Sequence, residues 1–180
     1  MTDRAAPARP YRYRICFVCT GNISRSPMAE AVMRGLLVQE GLDHAVEVDS
    51  AGTTAWHVGD PADRRALTAL RDGGYDGSAH RARAFERSWL ADRDLVVALD
   101  AGHLDELRAL AGDGPHAPKV RLLRSFSEGL DEGRADLGDL DVADPYYGSA
   151  ADFERVLEEV EEGCRGIIAT LVRDGAVQPA

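Results

Sequence analysis

The stretch that most constrains this chain is Cys19-Thr20-Gly21-Asn22-Ile23-Ser24-Arg25-Ser26-Pro27. It follows the apolar run Ile15-Cys16-Phe17-Val18 and precedes Ala29, Val32, Met33, Leu36 and Leu37, which fall on one face of a helix. A strand must therefore pass through a tight loop into a helix N-terminus. Ser26 suits the N-cap and Pro27 the first helical position. Gly21 and Asn22 are the loop residues that best tolerate positive φ. A closed loop of this kind turns backbone N–H groups inward, and the helix dipole adds positive potential.

The result is an anion cradle that starts at a thiol and ends at a guanidinium. Five residues between Cys19 and Arg25 allow the loop to wrap one tetrahedral oxyanion, with Thr20, Gly21, Asn22, Ile23, Ser24 and Arg25 as its phosphate-binding residues. The Arg25 fork can hold two oxygens at once, which a lysine cannot do. The same amides and dipole favour a negatively charged sulfur at Cys19. Cys16 and Cys19 also make a Cys-x-x-Cys pair, which points to redox chemistry. Cys16 lies inside the strand rather than at the helix start, so that reading is set aside. Cys164 falls on an apolar helical stripe and reads as core.

The loop resembles the phosphate-binding loop of the low-molecular-weight protein tyrosine phosphatases, in particular their bacterial, actinobacterial-type members. The resemblance extends to Val48-Asp49-Ser50-Ala51-Gly52-Thr53, His80-Arg81-Ala82-Arg83, Leu95-Val96-Val97-Ala98-Leu99-Asp100 and Asp144-Pro145-Tyr146-Tyr147-Gly148. It implies Cys19 as nucleophile, Arg25 as phosphate clamp, and Asn22, Ser26, Ser50 and His80 as a network holding the loop. One departure lies in the loop itself: Ser24 stands where the family usually carries a second cysteine, which can form a disulfide with the nucleophile.

The leaving tyrosine oxygen of such a reaction needs a proton, so a carboxylic acid must stand over the loop. Thirty-one acidic residues compete for that role. The residues alone leave Asp141 and Asp144 open; the resemblance selects Asp144, and Pro145 restricts it to extended geometry. Tyr146 and Tyr147 are implied as aromatic walls for a phosphotyrosine ring and as sites for a tyrosine kinase partner. Trp56, in a polar loop, reads as a further wall, whereas neighbouring His57 reads as a surface residue.

The expected activity is hydrolysis of protein phosphotyrosine through a cysteinyl-phosphate, with no metal and no cofactor. Two alternatives stand beside it: an arsenate reductase on the same fold, which would need further redox cysteines, and a non-catalytic phosphotyrosine-binding module.

Chain-wide properties agree. The 180 residues suit one domain over residues 11–180, with residues 1–10 as a disordered tail. A formal charge of −10 argues against nucleic acid or an anionic membrane as a general partner. Three cysteines give no disulfide framework and no zinc signature. No apolar run approaches a membrane span and no signal-peptide core is visible, so the cytoplasm is the default, with export lacking a signal as the alternative.

Strands alternating with helices predict a doubly wound, four-stranded parallel sheet with helices on both faces and the site at the C-terminal strand ends. The strands are expected at 13–18, 46–50, 94–99 and 119–123. Helices are expected from the loop to about Glu40, from an Asp60 N-cap to Arg71, from Asp100 through Leu104, Leu107 and Leu110, and from near Ser149 with Asp152 as its N3 partner. Residues 125–144 read as one long loop.

Overall fold

In the computed structural model, residues 13–133 and 136–180 are described, so the expected tail at 1–10 lies outside them. Four strands, β1 (Tyr13–Cys19), β2 (Val46–Gly52), β3 (Leu95–Ala98) and β4 (Val120–Leu122), form a sheet in the order β2-β1-β3-β4. Every pairing is parallel. The helices are α1 (Arg25–Gln39), α2 (Arg64–Asp72), α3 (Trp89–Asp92), α4 (Ala101–Ala111) and α5 (Ala150–Arg173).

Alternation along β1 separates two cores. Ile15, Phe17 and Cys19 face a cluster built with α1, α2 and α5, while Cys16 and Val18 face one built with Leu104, Leu107 and Ala111 of α4. With both faces covered, β1 is apolar nearly throughout, as buried parallel strands are. The chain leaves β1 toward one edge of the sheet and β3 toward the other. A crevice therefore opens at the C-terminal ends of these two neighbours, which is where a doubly wound sheet places its ligand. Cys19 is the last residue of β1.

Several boundaries differ from expectation. Helix α1 starts at Arg25 with Ser24 at the N-cap, so Pro27 occupies its third position and Ser26 caps nothing. Helix α1 is also buried beyond the predicted stripe, at Met28 and Ala31 as well. It is wedged between β2, α2 and α5 rather than lying on the surface. Helix α2 is capped not by Asp60 but by Asp63, whose carboxylate accepts the Arg65 N–H at 2.8 Å.

Helix α3 carries too few residues for helical periodicity to reveal it. Its Trp89 ring lies under the guanidinium groups of Arg83 and Arg93, and both of those arginines also pair with Asp49. The loop expected at 125–144 contains short 3-10 turns, Leu123–Phe126 at its start and Leu137–Leu140 further on. Helix α5 begins as expected, with a reciprocal capping box between Ser149 and Asp152, and buries Phe153, Val156, Val160, Cys164, Ile167, Ile168 and Leu171.

Candidate active site

The loop after β1 is tied to the end of β2 by backbone bonds. The Thr53 N–H donates to the Cys19 carbonyl at 2.8 Å and the Thr54 N–H to the Thr20 carbonyl at 3.1 Å. This approach requires Gly52, since a Cβ there would fall 2.6 Å from the Thr20 carbonyl oxygen. Gly21 is required for a different reason from the one expected. Its φ is not positive, and the residue that adopts the left-handed region is Asn22, at φ 57°. A Cβ on Gly21 would instead strike the His57 ring at 2.9 Å. His57 is thus a wall of the site, braced by its Nδ1 contact to Asp60 at 3.0 Å, and not the bystander expected from the sequence.

Asn22 is fully buried and organises the loop from inside. Its Nδ2 donates to Ser26 Oγ and Ser50 Oγ, each at 2.9 Å. Its Oδ1 accepts the Arg83 N–H at 2.9 Å. Its carbonyl lies 2.7 Å from His80 Nε2. A carbonyl can only accept, so Nε2 carries the proton. The Ser50 hydroxyl donates in turn to Glu30 at 2.5 Å. Burial pushes the Glu30 pKa up, but the nearby His80, the hydrogen bond from Ser50 and the Arg34 guanidinium outweigh it, so the net shift is downward and the carboxylate stays ionised. Asn22, Ser26, Ser50 and His80 thus meet as expected. Glu30 belongs with them but was not foreseen, because its i,i+4 pairing with Arg34 looks like an ordinary solvated ion pair.

Cys19 Sγ lies 2.9 Å from Ser26 Oγ. Ser26 Oγ already accepts from Asn22, and its single proton can go either to the sulfur or to the Ala51 carbonyl at 3.3 Å. A thiolate accepts only, so the Ser26 proton turns to the sulfur once Cys19 is ionised. Ser24 Oγ, by contrast, is buried and has no hydrogen-bond partner among the described residues. All three cysteines are free. Cys16 sits on the opposite sheet face from Cys19, and burial, with Asp49 nearby, pushes its thiol well up. Burial likewise raises Cys164, which lies in the core against the Ala29 carbonyl.

At the other end of the loop, the Arg25 side chain is 4% exposed. Its Nη1 donates to Asp100 Oδ2 at 2.8 Å and to the Val142 carbonyl at 2.9 Å. Burial pushes the Asp100 carboxyl up, but the His103 backbone N–H and the Arg25 guanidinium outweigh it and hold it down. Arg25 Nη2 lies 3.6 Å from Asp144 Oδ2, and the Asp144 side chain is 53% exposed. The two acid candidates are placed differently. Asp141 is spent as a cap, accepting the Ala101 N–H at 2.7 Å, whereas Asp144 stands beside Arg25 at the mouth.

The mouth opens into a pocket of about 240 Å³, lined by Cys19, Thr20, Gly21, Ile23, Ser24 and Arg25 and walled by Trp56, His57, Asp144, Tyr146 and Tyr147. Trp56 is 78% exposed, and Tyr146 and Tyr147 meet edge to face at 4.9 Å. A larger groove of about 720 Å³ lies on the far side of Glu30 and His80 but contains no nucleophile. The chemistry is therefore in the smaller pocket. Among the described residues, no group of three or more His, Cys, Asp or Glu side chains could hold a metal ion.

Asp100 and His103 were not picked out from the sequence as site residues. Asp100 reads there only as a helix opener, and it does cap α4. A histidine at the third helical position gives no signal of burial, and only the fold reveals that it points at Thr20.

Comparison with known proteins agrees with this geometry. A family profile described as low molecular weight phosphotyrosine protein phosphatase matches residues 14–177. A low molecular weight protein-tyrosine-phosphatase of Streptomyces coelicolor is 55% identical over 159 residues, covering 88% of this chain and 93% of that protein. The low molecular weight protein-tyrosine phosphatase A of Mycobacterium tuberculosis is 48% identical over 153 residues, covering 85% and 88%. The crystal structure of a protein tyrosine phosphatase from Entamoeba histolytica superimposes with a TM-score of 0.82 at 30% identity, covering 91% of this chain and 99% of that one. With the profile running from β1 to beyond α5 and relatives matched over most of their length, this chain belongs to the low-molecular-weight phosphotyrosine protein phosphatase family.

Proposed function

We propose that this protein hydrolyses phosphotyrosine in protein substrates through a cysteinyl-phosphate intermediate. The observation that carries the reading is the pairing of Cys19 Sγ, 2.9 Å from Ser26 Oγ at the start of the loop, with Asp144, 3.6 Å from Arg25 at its mouth. In this reading the nucleophile and the proton donor would act on one phosphoryl group held by the loop and Arg25.

In this scheme the Cys19 thiolate attacks phosphorus as the bond to the phenolic oxygen breaks. Inward-facing loop amides and the remainder of the Arg25 fork, Nη1 being held by Asp100 and Val142, take the equatorial oxygens as their charge develops. Asp144 gives its proton to the departing phenolate. It then takes a proton from water, which attacks phosphorus, breaks the S–P bond, releases inorganic phosphate and restores the thiolate. Arginine and amides supply the charge, so the scheme calls for no metal or cofactor. Trp56, Tyr146 and Tyr147 would flank the substrate ring.

Tyr147 and Tyr146, 96% and 39% exposed, also offer hydroxyls to a tyrosine kinase partner. No helix among the described residues is long and apolar enough to cross a membrane, and a cytoplasmic enzyme acting on soluble phosphoproteins is the setting we infer.

Arsenate reduction would need a second thiol within reach of Cys19, and both remaining cysteines are buried elsewhere. A binding module would have no use for a carboxylate poised beside Arg25. The test is turnover of an aryl phosphate in the presence of chelator, alongside thiol-coupled arsenate reduction. Wild-type protein should release phosphate and leave arsenate untouched, and Cys19→Ser should lose turnover while still binding vanadate. Steady-state hydrolysis by Cys19→Ser would remove Cys19 from the nucleophile's role.

A further inference from the structure

The two ends of the phosphate loop are joined behind the pocket by a chain of polar contacts that the proposed chemistry does not use. Thr20, immediately after Cys19, places its Oγ1 2.8 Å from His103 Nε2. The other ring nitrogen, Nδ1, lies 3.1 Å from Asp100 Oδ1. Asp100 Oδ1 also accepts the His103 backbone N–H at 2.9 Å, and Oδ2 accepts from Arg25 Nη1 at 2.8 Å. His103 is 3% exposed, so a polar ring has been buried here and must be held.

The proton assignment follows from these contacts. Burial lowers the imidazole pKa to about 4; Asp100 pulls the other way, Arg25 adds to the lowering and Asp144 opposes it. The ring is therefore neutral at pH 7, and the contact with Asp100 is not an ion pair. Nδ1 is off the hydrogen-bond direction and has no such partner among the described residues. A bare Nδ1 lone pair facing a carboxylate oxygen would repel it, so Nδ1 carries the proton. Nε2 is then an acceptor, and the Thr20 hydroxyl donates to it.

We propose that His103 is a positioning residue for the phosphate loop, its ring fixing Thr20 through Nε2 while its backbone N–H braces the carboxylate that aims Arg25. The thiol end and the guanidinium end of the cradle are thereby joined through one buried residue on α4. This role rests on the phosphatase reading and adds to it a residue that touches neither substrate nor the reacting atoms.

The experiment compares His103→Ala, His103→Gln, Thr20→Val and the double variant His103→Ala/Thr20→Val in the full chain. Active sites are counted from the burst of phenolate release, and the readouts are kcat per active site and the inhibition constant for inorganic phosphate. His103→Ala and Thr20→Val should each lower kcat per site by about tenfold and weaken phosphate inhibition, the size expected of a misplacement well under 1 Å. The double variant should be no worse than the poorer single one, because both remove the same link. His103→Gln should recover most of the loss, since its Oε1 can accept the Thr20 proton. Thr20→Val keeps the fold should His103→Ala fail to. Unchanged kcat per site and phosphate affinity in Thr20→Val, or losses that multiply in the double variant, would overturn the proposal. Absence of aryl phosphate turnover in the wild type would instead overturn the phosphatase reading itself.

Discussion

The two sides of the pocket are built in opposite ways. On the thiol side, Asn22, Ser26 and Ser50 are completely buried, and their side chains bond to one another and on to Glu30. On the acid side, the chain is anchored at Val142, whose N–H donates to the Leu99 carbonyl and whose carbonyl accepts from Arg25. Beyond Val142 it emerges into solvent. Among the described residues, Asp144 has the Tyr146 N–H, at 3.1 Å, and the Arg25 contact as its polar partners, and Tyr147 is 96% exposed. The difference matches the tasks. An oxyanion cradle works only if its dipoles are aimed before substrate arrives, and buried bonds do that. A proton donor that must serve first a bulky phenol and then a water has to stand where both can enter.

The comparison breaks most completely at the thiol. Peroxide reaching Cys19 through the pocket would give a sulfenic acid with no thiol to resolve it. Cys16 faces the other side of the sheet, Cys164 is held in the core, and a hydroxyl occupies position 24. Oxidation should therefore run on to the sulfinic acid. We expect near-complete loss of activity with poor recovery in dithiothreitol, and better recovery in Ser24→Cys. Mass spectra of the Cys19 peptide taken with recovery curves decide the matter. Full recovery of the native protein with a Cys16–Cys19 disulfide would refute it.

On the acid side, Asp144→Asn should lower kcat by about 10²–10⁴ for poor leaving groups, the range of a general acid. The deficit should shrink for leaving groups that depart without a proton. Asp141→Asn should affect stability more than rate, because its carboxylate caps α4. A larger rate defect in Asp141→Asn than in Asp144→Asn would reverse the assignment of the acid.

Asn22→Ala tests the buried side without touching the reacting atoms. It strands the Arg83 N–H and removes the donor to the buried hydroxyls of Ser26 and Ser50. The stranded N–H and the lost bonds should cost about 1–3 kcal/mol of stability and, through a shifted loop, up to about 10²-fold in kcat. Denaturant titration beside steady-state kinetics would show both losses. A variant with native stability and rate would mean that the loop holds itself.

What the sequence revealed follows the same division. Chemistry carried by a contiguous run was readable: Cys19 to Arg25 showed its strand, loop and helix, and the apolar stripe of α5 showed its buried face. Positions decided by distant partners were not. Ser26 reads as a cap because serines before helices usually are, but its hydroxyl is taken by Cys19 and Asn22. Gly21 reads as a residue for positive φ, yet the reason for it is a ring 36 positions away in sequence, His57. Asp60 reads as the cap of α2 because Pro61 follows it, but the helix begins after Asp63, whose N–H donates to the Ile23 carbonyl at 2.7 Å and fixes the entry. His103 gave no signal at all, because burial of a helical histidine depends on what the sheet places opposite it.

The smallest expected effect lies at the outermost point of the open side. Trp56 is 78% exposed and lines the pocket, yet among the described residues no hydrogen bond or ring contact of its own holds it. If it serves the substrate, its contribution is an aromatic contact beyond the phosphoryl group, worth about 0.5–1.5 kcal/mol. That corresponds to about 2- to 12-fold in kcat/KM. A small aryl phosphate reaches the cradle without extending past the mouth, whereas a phosphotyrosine peptide must pass Trp56 on entry. Trp56→Ala should therefore lower kcat/KM for peptides by that factor while leaving a small aryl phosphate nearly unchanged. Stability should not fall, because an indole this exposed buries little surface to lose. Equal losses on both substrates would place Trp56 with the buried side as a support of the loop, and no loss on either would leave the aromatic wall to Tyr146, Tyr147 and the His57 ring.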